Sequence, residues 1–218
     1  MAIEPIARYA MPTVAPQNRL SWRPDQRRSA LLIHDMQRHF LAPYAGEHSP
    51  VTELVANISA LREHCASMGI PVIYSAQPPA QSPEQRGLLQ ERWGAGIPDA
   101  AQARIIDALA PRDGEVVVTK WRYSAFHRTE LGELLIERGC DQLIICGLYA
   151  HIGVLTTAID AFSHDIQPLL VADAVADFSP AHHQMALNHV AELCAVTLTT
   201  EQVIAALAAS ARTTTTTS

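Results

Sequence analysis

The sequence predicts an α/β protein, a single-domain three-layer αβα sandwich around a mainly parallel sheet of six strands. Three observations lead there. Short apolar, β-branched runs alternate with segments whose apolar residues recur at helical spacing, the pattern of strand–helix–strand units. Several of those runs are apolar throughout rather than alternating, so the sheet is covered on both faces. The chain has 218 residues, 48% of them hydrophobic, which suffices to fill one core of ordinary domain size.

The elements follow in order. Residues 1–28, with Pro5, Pro12, Pro16 and Pro24, read as an arm packed over the domain. Residues 30–34 (ALLIH) read as a strand buried on both faces. Val51, Leu54, Val55, Ile58 and Leu61 have helical spacing over residues 51–68, and Gly69 stops that helix. Residues 70–75 (IPVIYS) form the second strand. Residues 77–98, rich in Pro, Gly and Gln, are too long for an ordinary connection and read as a binding loop. Then come a helix over 101–109, a strand over 115–119, a helix over 129–138 and a strand over 142–146. A helix over 152–164, a strand over 168–172, a helix over 180–193, a strand over 195–198 and a helix over 201–209 complete the domain at 29–209. The Thr-rich residues 210–218 read as a disordered tail, and no internal repeat is visible.

Charge and cysteine usage exclude several classes. The net charge is −6 and there is no Lys/Arg stripe, which argues against nucleic acid or a membrane surface as partner. The N-terminal MAIEPIARYAMPTVAPQ lacks a basic then continuously apolar signal pattern, and no apolar run approaches the ~20 residues of a membrane span. Cys65, Cys140, Cys146 and Cys194 show no C-x-x-C spacing and sit in apolar patterns. They read as reduced core thiols of a cytoplasmic protein.

Open α/β sheets bind ligands beyond the carboxyl ends of their strands. Those ends carry Asp35, Gln77, Lys120, Tyr149 and Asp173. Asp35 directly follows ALLIH, and Lys120 follows EVVVT in the same way. By position alone they are either a structural ion pair or part of a site, since charged groups seldom end apolar strands without a partner or a task. Residues 141–162 form a strand–turn–helix unit whose Gly147–Gly153 turn can aim backbone N–H groups at the same spot.

The segments ALLIHDMQRHF, TKWRYSAFHRTEL and GLYAHIGVLTTAIDAF resemble isochorismatase-like hydrolases, and SAQPPAQSPEQRGLLQERWGAG and DIQPLLVADAVADFS extend the likeness over roughly residues 5–205. Within that superfamily the chain resembles the isochorismatase branch: siderophore-type isochorismatase domains and phenazine-type 2-amino-2-deoxyisochorismate hydrolases. The resemblance implies that Asp35 is the catalytic acid, with Lys120 and the Gly153 backbone beside it. Gln77, Arg86, Lys120 and Tyr149 would contact the substrate's carboxylates and ring substituents. Phe40, Trp93, Tyr123 and Phe126 would form the pocket wall. A non-proline cis peptide is expected at Tyr149–Ala150, and a homodimer is implied.

Two departures from the wider superfamily narrow the chemistry. Its cysteine amidases carry their nucleophile where this chain has Gly153, so a thioester route is not expected. Its metal-binding members carry Asp-x-His after the second strand, where this chain reads Gln77-Pro78-Pro79, so no metal and no cofactor is expected. His182 and His183 are adjacent on a helix and point about 100° apart, which reads as surface or helix-start residues. The implied reaction is hydrolysis of a vinyl ether: protonation of the terminal methylene, capture of the oxocarbenium ion by water, and release of pyruvate. That demands an Asp35 pKa raised above the ordinary: strand-end burial and the negative substrate push it up, Lys120 pulls it down, and Lys120 is expected to engage the pyruvyl carboxylate in the complex so that Asp35 holds its proton. The other readings are a non-catalytic binding or scaffold module and a cysteine amidase. No carrier segment follows the domain, which tips the expected substrate towards the amino compound.

Overall fold

The computed structural model describes residues 3–44, 46 and 48–214. Strands β1 (Ser29–His34), β2 (Val72–Ala76), β3 (Val116–Thr119), β4 (Gln142–Leu148), β5 (Gln167–Ala176) and β6 (Val196–Leu198) form one sheet in the order β3-β2-β1-β4-β5-β6. Every pairing is parallel. The period of two along a strand divides the side chains between two cores. Leu31 and Ile33 of β1, with Ile144 and Cys146 of β4, belong to one; Ala30, Leu32, Leu143 and Ile145 belong to the other. Helices α2 (Val51–Ser67) and α9 (Thr200–Thr214) close the first core through Leu54, Ile58, Leu61, Val203 and Leu207. Helices α6 (Leu131–Glu137), α7 (Leu155–Ser163) and α8 (Pro180–Leu193) close the second through Leu135, Ala158 and Leu187. Each fully buried Leu or Ile contributes roughly 1.5–3 kcal/mol, which is why β1 and β4 tolerate no polar alternation.

The chain starts in the middle of this sheet, lays β2 and β3 to one side, then crosses to place β4, β5 and β6 on the other. Between β1 and β4 the order reverses. The connections leaving these two strands diverge, and a crevice opens at their carboxyl ends.

Several elements differ from the sequence reading. The expected helix over 101–109 is a short α5 (Ala100–Ala103) and a 3-10 turn (Asp107–Leu109) separated by an extended Arg104. The intervening backbone is engaged elsewhere: Ile105 bridges Gln37, and Ile106 N–H donates to the Met36 carbonyl. β5 runs on to Ala176 because β4 pairs with it again, Gly147 opposite Val175, after a register shift. Asp173 therefore lies inside the strand, and its carboxylate holds the Thr200 N–H and hydroxyl at the start of α9. It is not a site residue. The long loop holds two short helices, α3 (Pro83–Arg86) and α4 (Leu88–Trp93), the first set by a Ser82–Gln85 capping box. The four residues of α1 (Arg38–Leu41) follow β1, and α9 extends to Thr214; residues 215–218 of the expected tail lie outside the described residues. The arm lies on the domain, with Ile6, Tyr9 and Met11 buried. No helix among the described residues is long and apolar enough to cross a membrane.

Candidate active site

A cavity of about 750 Å³ opens at the crevice between β1 and β4. Asp35 enters it from the end of β1 with φ 49°, a left-handed conformation that Asp tolerates better than most residues. Its carboxylate is buried and fully engaged. Lys120 Nζ donates to Oδ2 at 2.8 Å from the end of β3, Gln77 Nε2 donates to the same oxygen at 3.2 Å, and the Ser75 hydroxyl donates to Oδ1 at 2.6 Å. Burial pushes the Asp35 pKa up, but the Lys120 ammonium and these hydrogen bonds outweigh it, and the carboxyl sits below its ordinary range. The raised pKa that vinyl-ether protonation requires belongs to the substrate complex; without substrate the shift is downward.

A second cation faces the same cavity. Arg86 is 3% exposed, donates from Nε to the Gly94 carbonyl, and has no acidic partner among the described residues. Burial and then Arg122 lower its pKa, partly offset by Tyr123. The backbone presses directly on the guanidinium: a Cβ at Gly96, φ 79°, would lie 2.7 Å from its central carbon. Such a buried, unpaired guanidinium is a site for a carboxylate or a similar planar anion. His39 shares the wall, and burial followed by the Arg86 charge lowers its pKa.

The remaining wall combines aromatic rings with aliphatic side chains such as Leu89, Ile97 and Ile152. Trp93 donates its indole N–H to the Tyr123 hydroxyl at 2.8 Å, and the Tyr149 hydroxyl donates to the Phe40 carbonyl at 2.5 Å. Phe178 packs edge-on to Tyr149 with centroids 4.6 Å apart. Asp35, Gln77, Arg86, Lys120, Tyr149, Gly153, Phe40, Trp93 and Tyr123 thus all reach one cavity. Phe126 does not. It stacks on His164 at 5.2 Å and belongs to the core cluster that includes Leu131 and Leu135 of α6, where burying the ring outweighs exposing it in the cavity. The sequence reading missed His39 and Phe178, and also Ile3 and Pro5, whose arm forms part of the wall. Only Phe178, in the ADFS stretch after β5, carried a local signal.

The turn after β4 is a π-helical segment, Ala150–Val154, leading straight into α7. The non-proline cis bond is Leu148–Tyr149, one residue earlier than expected. Gly153 lines the cavity, and no Ser, Thr or Cys does so among the described residues. All four cysteines are buried and free; burial pushes the Cys65 thiol up to about 12 and the Cys194 thiol up to about 11. Among the described residues one group of metal-ligand types exists, His151, Asp177 and His182. His151 Nδ1 is bonded to Asp177 Oδ1 at 2.5 Å, and the two imidazoles stack with centroids 4.4 Å apart and planes 12° from parallel. Ring lone pairs lie in the ring plane, so in this stack they run side by side instead of converging. His183, by contrast, is buried, bonded to Tyr9 and the Ala172 carbonyl.

The Isochorismatase domain family matches residues 29–202, spanning both sides of this cavity. The chain belongs to the isochorismatase family. It is 52% identical over 207 residues to the isochorismatase of Bacillus subtilis (strain 168), a match covering 94% of this chain and 66% of that protein. It is 47% identical over 205 residues to the phenazine biosynthesis protein PhzD of Pseudomonas fluorescens, covering 93% of this chain and 98% of that one. Among solved structures, a cysteine hydrolase from Pseudomonas syringae pv. phaseolicola 1448A superposes with a TM-score of 0.80 at 24% identity, covering 89% and 98% of the two chains. That likeness concerns the fold alone. This isochorismatase-family hydrolase thus shares its fold with that cysteine hydrolase, while no thiol among its described residues lines the cavity.

Proposed function

We propose that the protein hydrolyses the vinyl ether of isochorismate-type substrates, 2-amino-2-deoxyisochorismate or isochorismate, to pyruvate and a dihydro-hydroxyanthranilate or dihydrodiol. The single observation that carries the reading is a buried carboxylate, Asp35, paired with Lys120 and sharing with Arg86 a cavity of aromatic and aliphatic walls to which no thiol or aliphatic hydroxyl is contributed by the described residues. Such a substrate carries two carboxylates, one on the ring and one on the enolpyruvyl group. Arg86 and Lys120 are the matching pair of charges. The names of the two relatives, an isochorismatase and a phenazine biosynthesis protein, support the same chemistry.

In the proposed mechanism the enolpyruvyl carboxylate takes over the Lys120 ammonium and the Gly153 backbone. Asp35 loses its strongest stabilising partner in a buried setting, and its pKa rises. The protonated acid delivers its proton to the terminal methylene carbon, leaving an oxocarbenium ion next to the regenerated carboxylate. Water adds to that cation, and the hemiketal collapses to pyruvate and the ring alcohol. Gln77 can turn its amide to meet either a hydroxyl or an amino group on the ring. The reaction takes no cofactor and no metal. The same resemblance makes a cytoplasmic homodimer part of the proposal, in a phenazine-like or catecholate-siderophore route.

The experiment is to incubate the protein with each substrate in the presence of EDTA and follow pyruvate with a coupled dehydrogenase. Turnover of both is expected, with kcat/KM values within about 100-fold of each other, since only a dedicated polar contact reaches ~10⁴. No pyruvate from either compound, with or without EDTA, would sink the assignment.

A further inference from the structure

Gly153 stands beside a residue that the reaction above does not use. His34, the last residue of β1, is fully buried. Its Nδ1 donates to the Leu148 carbonyl at 2.7 Å, and the Thr157 hydroxyl lies 3.3 Å from Nε2. Burial pushes its pKa down to about 4, so the ring is neutral near pH 7. The imidazole is held from both ends, between the β4 exit and the first turn of α7. A Cβ built on Gly153 would fall 2.4 Å from Cε1 of this ring and 3.0 Å from Nε2, with the Tyr123 carbonyl 3.2 Å away on the other side. Real Cβ atoms do not approach other heavy atoms that closely, and a ring pinned by two hydrogen bonds in a close-packed core has nowhere to go. Gly153 is therefore required for steric reasons, at a position whose backbone angles are ordinary for any residue.

We propose that His34 is a specificity-determining residue for reaction type. Its imidazole occupies the space a nucleophile's side chain would need at position 153, and so holds the site to chemistry without a covalent intermediate. The two positions are mutually exclusive: imidazole with glycine, or a smaller side chain at 34 with a nucleophile at 153. The ring's Nδ1 also lies 3.8 Å from Asp35 Oδ1. A thiol placed in the ring's stead would thus sit beside that carboxylate. This exclusion follows from the geometry of the β1 end and the π turn and is independent of the substrate proposed above.

The test is a double-mutant cycle on the full chain, read by thermal melting: wild type, His34→Val, Gly153→Cys and the pair, with Gly153→Ala in place of Gly153→Cys as a second cycle. His34→Val in the wild-type background should lower the melting midpoint, because it strands the Leu148 carbonyl. In the Gly153→Cys and Gly153→Ala backgrounds the same change should raise it, by roughly 5–10 °C, since it relieves overpacking. Sign reversal is the expected result. If Gly153→Cys alone yields no folded protein, its recovery on adding His34→Val counts the same way. The proposal is overturned if His34→Val lowers the midpoint equally in every background, if Gly153→Cys is as stable as wild type, or if the pair fails to fold where His34→Val alone folds. Iodoacetamide followed by intact mass is the second readout. The thiol introduced at position 153 of the double variant should take one label while the four native thiols take none. An introduced thiol left unlabelled in folded protein would refute its placement in the cavity.

Discussion

Asp35 is ionised and bound to Lys120 in this structure, whereas the proposed reaction needs its proton, and that tension generates two predictions. Asp35→Asn should reduce pyruvate release by at least ~10²–10⁴-fold while substrate still binds, because an amide cannot protonate carbon. Isothermal titration beside the coupled assay separates the two effects, and a variant keeping a tenth of wild-type turnover removes Asp35 from the acid role. The second concerns pH. The folded pKa of Asp35 is depressed, so in the free enzyme the protonated acid is scarce and grows scarcer as pH rises. Once a substrate carboxylate has taken Lys120, the pKa is higher and the acid survives to higher pH. Because kcat/KM reports the free enzyme and kcat the complex, the limb on which activity falls with rising pH should lie at higher pH in kcat than in kcat/KM. Coincident limbs would show that binding leaves the ion pair intact. The sequence made Asp35 and Lys120 visible because charged residues ending apolar runs are conspicuous. It could not show which way the pKa moves, since that depends on an unsplit balance of burial against a 2.8 Å contact. His34 was hidden for the opposite reason: a histidine closing ALLIH reads as core, and its role appears only with the ring against Gly153.

At the scale of elements, the sheet's outer strand is tied down by charge. Arg62 of α2 donates from Nε and Nη2 to the Glu115 carboxylate, both at 2.8 Å, and to the Ala110 carbonyl, while the Tyr74 hydroxyl adds a bond at 3.2 Å. Both side chains of the pair are nearly inaccessible, at 3% and 8%. Removing one partner of a buried pair leaves the other charge stranded, which costs ~3–5 kcal/mol, far above an exposed salt bridge. Arg62→Ala should therefore lower the urea unfolding free energy by about that much while leaving kcat near wild type, since none of these residues lines the cavity. A loss below ~1 kcal/mol would show that water reaches Glu115. Helical periodicity found α2 through Val51, Leu54, Ile58 and Leu61 but assigned Arg62 to no buried face, because a guanidinium inside a core cannot be told from one in solvent by spacing. The helix expected over 101–109 failed for a related reason. Its apolar residues satisfy a helical pattern, yet the backbone of Ile105 and Ile106 is paired to the segment leaving β1, a tertiary demand with no local signature.

For the whole molecule, the order β3-β2-β1-β4-β5-β6 decides where chemistry can occur, and that order followed from alternation only in part. Six covered parallel strands were legible; the reversal between β1 and β4, which opens the crevice, depends on which strands pair across long separations. The arm is the other global feature. Ile3 and Pro5 help wall the cavity, and the segment behind them is fastened by Tyr9, whose hydroxyl accepts from Asp177 N–H at 2.8 Å and meets His183 Nδ1 at 3.1 Å. Asp177 in turn holds the His151 ring and backbone N–H at the start of the π turn, and its own Phe178 neighbour packs on Tyr149. One hydroxyl thus joins the arm, the β5 exit and the turn that carries Gly153. Tyr9→Phe leaves a buried N–H without its acceptor, which costs ~1–3 kcal/mol of stability. The functional effect should be confined to binding, because Tyr9 touches neither Asp35 nor Lys120. KM should rise several-fold as the wall formed by Ile3 and Pro5 loosens, with kcat within about twofold of wild type, the pattern of lost uniform binding. Equal falls in kcat and kcat/KM would instead place the linkage through Asp177 in the transition state, and an unchanged KM would show that the arm covers the cavity without contributing to it.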